Sequence, residues 1–204
     1  MNSKRNLVCE NHWQIKGYNS INVFIQKTEM DIVVIANETF KHADIAEFFL
    51  NAGIHVLVEK PIDVNIEKIK NLIKLAEVNN KLLGVVLQKR FDPKIRFLKK
   101  VIDRDELGKI LFAKVDIFMH RNDDYFSSKY WVKNLSKVGG GVLIHQGIHS
   151  IDSILWLLNS KVEIVSGWIS KNYRKMEIED SGGCWAKLEN NVAITIVSSV
   201  NVHP

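Results

Sequence analysis

Two histidines and an aspartate, His145, His149 and Asp152, follow three consecutive glycines, Gly139 to Gly141. On a helix, positions 145, 149 and 152 stand at i, i+4 and i+7 and share one face. Ile144, Ile148, Ile151, Leu155 and Leu158 repeat at the same spacing on another face, which reads as the buried stripe. One face then packs while the other carries titratable groups suited to proton transfer near neutral pH. The glycines, lacking Cβ, let backbone come close to something at the helix entrance.

The same pair of histidines could ligate a metal. A zinc site takes a third protein ligand, and the zincin pattern is His-Glu-x-x-His, whereas Gln146 stands here in place of that Glu. Asp152 reads better as a partner that orients His149 one turn away, so no metal is expected. The plain alternative is a set of polar side chains on a half-exposed helix.

A second group lies earlier in the chain. Glu59-Lys60-Pro61 closes a predicted strand, Ala36, Asn37 and His42 follow another, and Gln88 and Arg90 follow a third. In open α/β sheets, ligands bind outside the carboxyl ends of the strands. A lysine there is aimed at the crevice, and Pro61 fixes the turn that aims it. Three strand ends offering polar groups to one edge say more than any one of them.

The elements that must carry these residues are legible as patterns. Buried strands are expected at 31–36, 54–59 and 82–88, alternating with helices at 41–51, 65–80 and from Pro93 to Gly108. That alternation is the signature of a parallel sheet covered by helices. Beyond Gly108 a long strand at 109–119, a polar aromatic loop at 121–138 and the histidine helix are followed by strands at 162–170, 183–188 and 192–200. Strands without intervening helices suggest antiparallel pairing. The expectation is an α/β chain: a partial Rossmann-like parallel sheet over residues 1–90, then an α+β domain with an open, mostly antiparallel sheet over 91–204.

Composition narrows the function classes. The chain has 204 residues, 46% hydrophobic and 25% charged, with net charge +5. The cations are interleaved with anions along predicted helices, which fits solvated faces and argues against nucleic-acid binding. Two cysteines, Cys9 and Cys184, suggest no disulfide framework and a reducing, cytoplasmic setting. No apolar run approaches 18 residues and no signal peptide is read, so no membrane association is expected.

Taken in order, Asp31–Ala36, His42, Ala52-Gly-Ile-His-Val-Leu-Val-Glu-Lys-Pro61, Gly139–Asp152 and Glu179-Asp180 resemble the Gfo/Idh/MocA family of NAD(P)-dependent sugar oxidoreductases, shortened at both ends. The resemblance implies hydride transfer between NAD or NADP and a hydroxyl or ketone of a sugar, nucleotide sugar or polyol. It implies a catalytic set of Lys60 as the active-site lysine, His149 as the acid/base and His145, which stands where the family usually has Asp or Asn, at the substrate hydroxyl. Ala36, Asn37, His42, Glu59, Lys60, Pro61 and Gln88 would line the cofactor. Arg90, Tyr125, Trp131, His145 and Asp152 would meet the substrate, with Arg121 and Tyr130 in the same loop. A homo-oligomer through the second sheet is implied, the alternating 192–197 strand supplying an apolar face. Two departures stand out: there is no G-x-G-x-x-G turn, and Glu38 puts a carboxylate where an anionic cofactor would lie. Weak NAD(H) binding by this chain, or a non-catalytic binding or regulatory role, is the alternative they imply.

Overall fold

A computed structural model of the chain describes residues 10–128 and 131–203; Cys9 and Tyr130 lie outside the described residues. The first half is a three-stranded parallel sheet, β1 (Ile32–Ile35), β2 (His55–Glu59) and β3 (Leu83–Val86), in that spatial order. Helices α1 (Ile21–Lys27), α2 (His42–Asn51) and α3 (Ile66–Val78) accompany it. The strands are short, and the central β2 is buried on alternate positions, hiding Val56 and Val58 almost completely. Phe49 and Leu50 of α2 and Leu72 and Ala76 of α3 close the core beside them. Asn65 starts α3 by accepting the N–H groups of Glu67 and Lys68.

Helix α1 was not anticipated. Its Ile21, Phe24 and Ile25 stand at helical spacing and pack against that core. Helix α4 (Pro93–Asp103) begins as expected, with Pro93 in its first turn and Asp92 capping Lys94 N. It ends at Asp103 and not at Gly108, because Asp105 turns to φ 58 and the last carbonyls are capped locally.

The second half is a four-stranded sheet in the order β4 (Phe112–Phe118), β7 (Ala193–Ser199), β6 (Ser181–Leu188), β5 (Val162–Ser170). The β5–β6 and β6–β7 pairs are antiparallel and β4–β7 is parallel, so the sheet is mixed and mostly antiparallel. The segment 121–138 is not all loop: it holds α5 (Asp123–Ser127) and α6 (Leu135–Val138). The histidine segment is not one α-helix. Val142–Gln146 forms a π turn, and α7 (Ile148–Leu158) follows. Leu143, Ile151, Ile154, Leu155 and Leu158 face the sheet residues Ile117, Ile194, Ile196 and Leu188. The wide turn takes Ile144 out of the expected stripe and seats it over Gly140.

The alternating 192–197 strand was expected to give the second sheet an apolar outer face. Instead Ile194 and Ile196 point inward under α7. Register places Trp168 of β5, Trp185 of β6 and Phe112 and Phe118 of β4 on the opposite, exposed face. No helix among the described residues is long and apolar enough to cross a membrane.

Candidate active site

Where the sequence places polar groups after each strand of the first sheet, the structure gives each a different employment. Lys60, just past β2, is half-buried and reaches into the second half, where its Nζ donates to the carbonyl of His145 at 2.7 Å. Burial lowers its proton affinity below the usual lysine value, and the Glu59 carboxylate opposes that shift. His42 opens α2 and is only 1% exposed. Its Nδ1 meets the Pro61 carbonyl at 2.9 Å and its Nε2 the Asn37 carbonyl at 3.0 Å. The ring therefore braces the turns after β1 and β2 against each other. Expected to line the cofactor, the ring turns both nitrogens to backbone carbonyls and is almost wholly buried. Ala36, Asn37 and Gln88 remain exposed on the rim. Glu38, expected to oppose an anionic cofactor, bonds Lys41 Nζ at 3.2 Å, which offsets part of its charge.

The second half meets this rim through the π turn and the start of α7. The glycine run has a structural cause. Gly139 adopts φ 81 at the end of α6, and a Cβ on Gly141 would stand 1.8 Å from the Glu179 carbonyl oxygen. The close partner foreseen at the helix entrance is thus the protein's own Glu179. The buried Glu179 carboxylate accepts from Gly141 N at 2.7 Å and Leu143 N at 3.2 Å, holding the turn's first amides. Nothing local in the sequence pointed to that pairing across 38 positions.

His145, His149 and Asp152 divide their roles. Gln146 Nε2 donates to the Tyr125 hydroxyl at 2.7 Å, which leaves the single Tyr125 proton for His145 Nε2 at 3.0 Å. Burial raises the Tyr125 pKa against the opposing pull of Arg121 and Gln146, so the phenol keeps that proton. Trp131 stands edge-on to the His145 ring, centroids 5.9 Å apart. With its Nε2 on Tyr125 and its carbonyl on Lys60, His145 links the aromatic loop to the rim of the first sheet. Asp152 does not orient His149. Its two oxygens accept from Arg90 Nε and Nη2 at 2.8 and 2.5 Å, a bidentate pair that outcompetes a single imidazole N–H. Arg90 and Asp152, both expected at the substrate, hold each other and tie the turn after β3 to α7.

Among the described residues, the His149 ring is tied by no such bond. Its Nδ1 is buried without a hydrogen-bond partner. Burial lowers its pKa below 6.5, the Lys60 and Lys89 charges push the same way, and Glu59 and Asp152 resist. The imidazole is therefore neutral at pH 7. That the Lys60 charge is felt at His149 means the ammonium and the imidazole, from separate halves, share one neighbourhood. Among the described residues, no group of three or more His, Cys, Asp or Glu side chains is placed to hold a metal.

Comparison with known proteins follows the same division. A family model described as an oxidoreductase family with an NAD-binding Rossmann fold matches residues 1–87, and the GFO/IDH/MocA C-terminal domain matches 95–204. A 1-carboxy-3-chloro-3,4-dihydroxycyclohexa-1,5-diene dehydrogenase from Comamonas testosteroni is 28% identical over 186 residues, 91% of this chain and 46% of its own length. An inositol 2-dehydrogenase from Rhizobium meliloti is 29% identical over 133 residues, covering 65% of this chain and 38% of its own. The chain thus spans about half the length of the curated relatives it matches. The crystal structure of the WlbA dehydrogenase from Bordetella pertussis, in complex with NADH and UDP-GlcNAcA, superposes with a TM-score of 0.93 at 25% identity. It covers all of this chain and 58% of that one.

Proposed function

Because the chain belongs to the GFO/IDH/MocA oxidoreductase family, we propose that it takes part in hydride transfer between NAD and a hydroxyl carbon of a sugar, nucleotide sugar or polyol. Residues 1–90 act as the nucleotide-binding unit and 91–204 as the substrate and association unit. The spans of the two family models and the separate hydrophobic clusters of the two halves support that division. The observation that carries the reading is the Lys60 ammonium bound to the His145 carbonyl beside a His149 kept neutral by burial and by that same ammonium.

The donor set at the first sheet's edge suits the nicotinamide end of the cofactor. The Asn37 and Gln88 amides and the Lys60 ammonium offer groups for a carboxamide and ribose hydroxyls. When bound, the cofactor supplies a ring carbon that accepts hydride. The chain's residues do the rest. Neutral His149 takes the hydroxyl proton as the carbon–hydrogen bond breaks. Lys60, with one N–H on His145, has two left to stabilise negative charge developing on the substrate oxygen. Tyr125 and Trp131 frame the turn that fixes where that oxygen sits. In the reverse direction the same groups return the proton.

The exposed face carrying Trp168, Trp185, Phe112 and Phe118 supports association of two copies through the second sheet. Two cysteines in 204 residues suit a reducing cytoplasmic setting. The test follows NADH absorbance with a panel of polyols, sugars and nucleotide sugars. A substrate should emerge, and Lys60→Met and His149→Ala should each lower its turnover by roughly 10² to 10⁴. Undiminished turnover in both variants would sink the assigned roles.

A further inference from the structure

Arg121 is held as if for a ligand. Its backbone N donates to the Val200 carbonyl at 2.9 Å, and its own carbonyl accepts from Arg174 Nη2 at 2.6 Å. Arg174 is itself locked, donating to Asp123 at 2.7 Å and to Asn201 at 2.6 Å and lying over the Phe126 and Tyr173 rings. The Cα of Arg121 is thereby fixed on both sides, and its guanidinium lies over Tyr125, 4.9 Å from the ring centroid. Tyr125 in turn holds His145, so the cation stands one side chain away from the Lys60–His145 contact.

What Arg121 lacks is an acceptor worthy of its charge. Among the described residues its one side-chain hydrogen bond is a long 3.4 Å contact from Nη2 to the Gln146 amide oxygen, and its Nε is buried without a partner. The other cations about this turn are engaged: Lys60 on a carbonyl, Lys89 on Ser150, Arg90 on Asp152 and Arg174 on Asp123. Among the described residues Arg121 forms no ion pair. A glutamate at position 146 would have filled the need; the neutral Gln146 leaves it open. An unsatisfied buried donor beside a candidate substrate cleft calls for a cause, and a planar guanidinium matches an oxyanion best.

We propose that Arg121 is a specificity-determining residue that takes a negatively charged group of the substrate, either a carboxylate on the sugar ring or a phosphate on its anomeric oxygen. The unpaired Nε–H is the donor left for that oxyanion, and the backbone bonds on either side of Arg121 limit the ordering that binding must cost. The inference rests on the reading of this cleft as a sugar site, and it excludes neutral polyols as preferred ligands.

The experiment is calorimetric titration of the full chain, without NAD, by D-glucose, D-glucuronate, UDP-glucose and UDP. Wild type should bind D-glucuronate or UDP-glucose at least about tenfold more tightly than D-glucose. A preference for D-glucuronate assigns the ring carboxylate. A preference for UDP-glucose over both D-glucuronate and UDP assigns the phosphate. Arg121→Met should erase the preference, and Arg121→Lys, which keeps charge but loses the fork, should retain part of it. If Arg121→Met does not fold by circular dichroism, Arg121→Lys carries the comparison. Equal binding of D-glucose and the anions, no binding of either anion, or an undiminished preference in folded variants overturns the proposal. Since no cofactor is present, a failure of hydride transfer to NAD would leave this result standing and strike only the reaction.

Discussion

His42 and His149 were both read as site residues, and the structure treats them as opposites. The first sits in the first half with each nitrogen against a backbone carbonyl and 1% of its surface exposed. The second sits where the halves meet, with Nδ1 unpartnered and its proton affinity depressed. A ring wedged between two backbone carbonyls fixes geometry, while one with an open nitrogen is placed to exchange a proton. The difference separates a polar residue that braces the rim from one left with an unpartnered nitrogen where the halves meet.

The contrast can be broken or sharpened by substitution. The severest change is at the turn that carries His149: Gly141→Ala drives a methyl into the Glu179 backbone and should destabilise by roughly 4 kcal/mol or more, read from a denaturant midpoint. A milder loss would mean the turn is softer than its packing implies. His42→Ala removes a buried ring lying between the Pro61 and Asn37 carbonyls, for roughly 3 kcal/mol. His149→Ala should shift the same midpoint by less than about 1 kcal/mol. Equal losses at the two positions would erase the distinction.

Smaller effects follow with pH. Because the folded pKa of His149 lies below 6.5, its stabilising contribution is present above pH 6.5. That contribution is lost as pH falls through the lowered folded value. Turnover in the oxidising direction should fall on the same acidic side. Lys60→Met removes the charge that helps depress His149, so an NMR titration of its ring should move toward the ordinary value; no movement would separate the two groups. Asp152→Asn, which weakens a partly buried pair with Arg90, should lower stability by about 1 kcal/mol.

Much of this was legible in the chain. Strand β5 falls on 162–170 as expected, and the first-half strands differ only at their ends, because β-branched runs bounded by turn residues admit few other readings. Lys60 was placed by Pro61 and by the rule that sheets bind at carboxyl ends. The π turn was not legible, since over five residues its period cannot be told from that of an α-helix. Helix α1 is too short to show periodicity. Glu179 and Arg174 act across 38 and 53 positions, and no local pattern encodes a contact of that range.

The bond from Lys60 to the His145 carbonyl spans the two halves, and this has a mechanical corollary. Any hinge motion that parts them stretches that bond and carries a positive charge away from His149. Opening would therefore raise the imidazole's proton affinity, so that the gap between the halves and the charge on His149 are coupled.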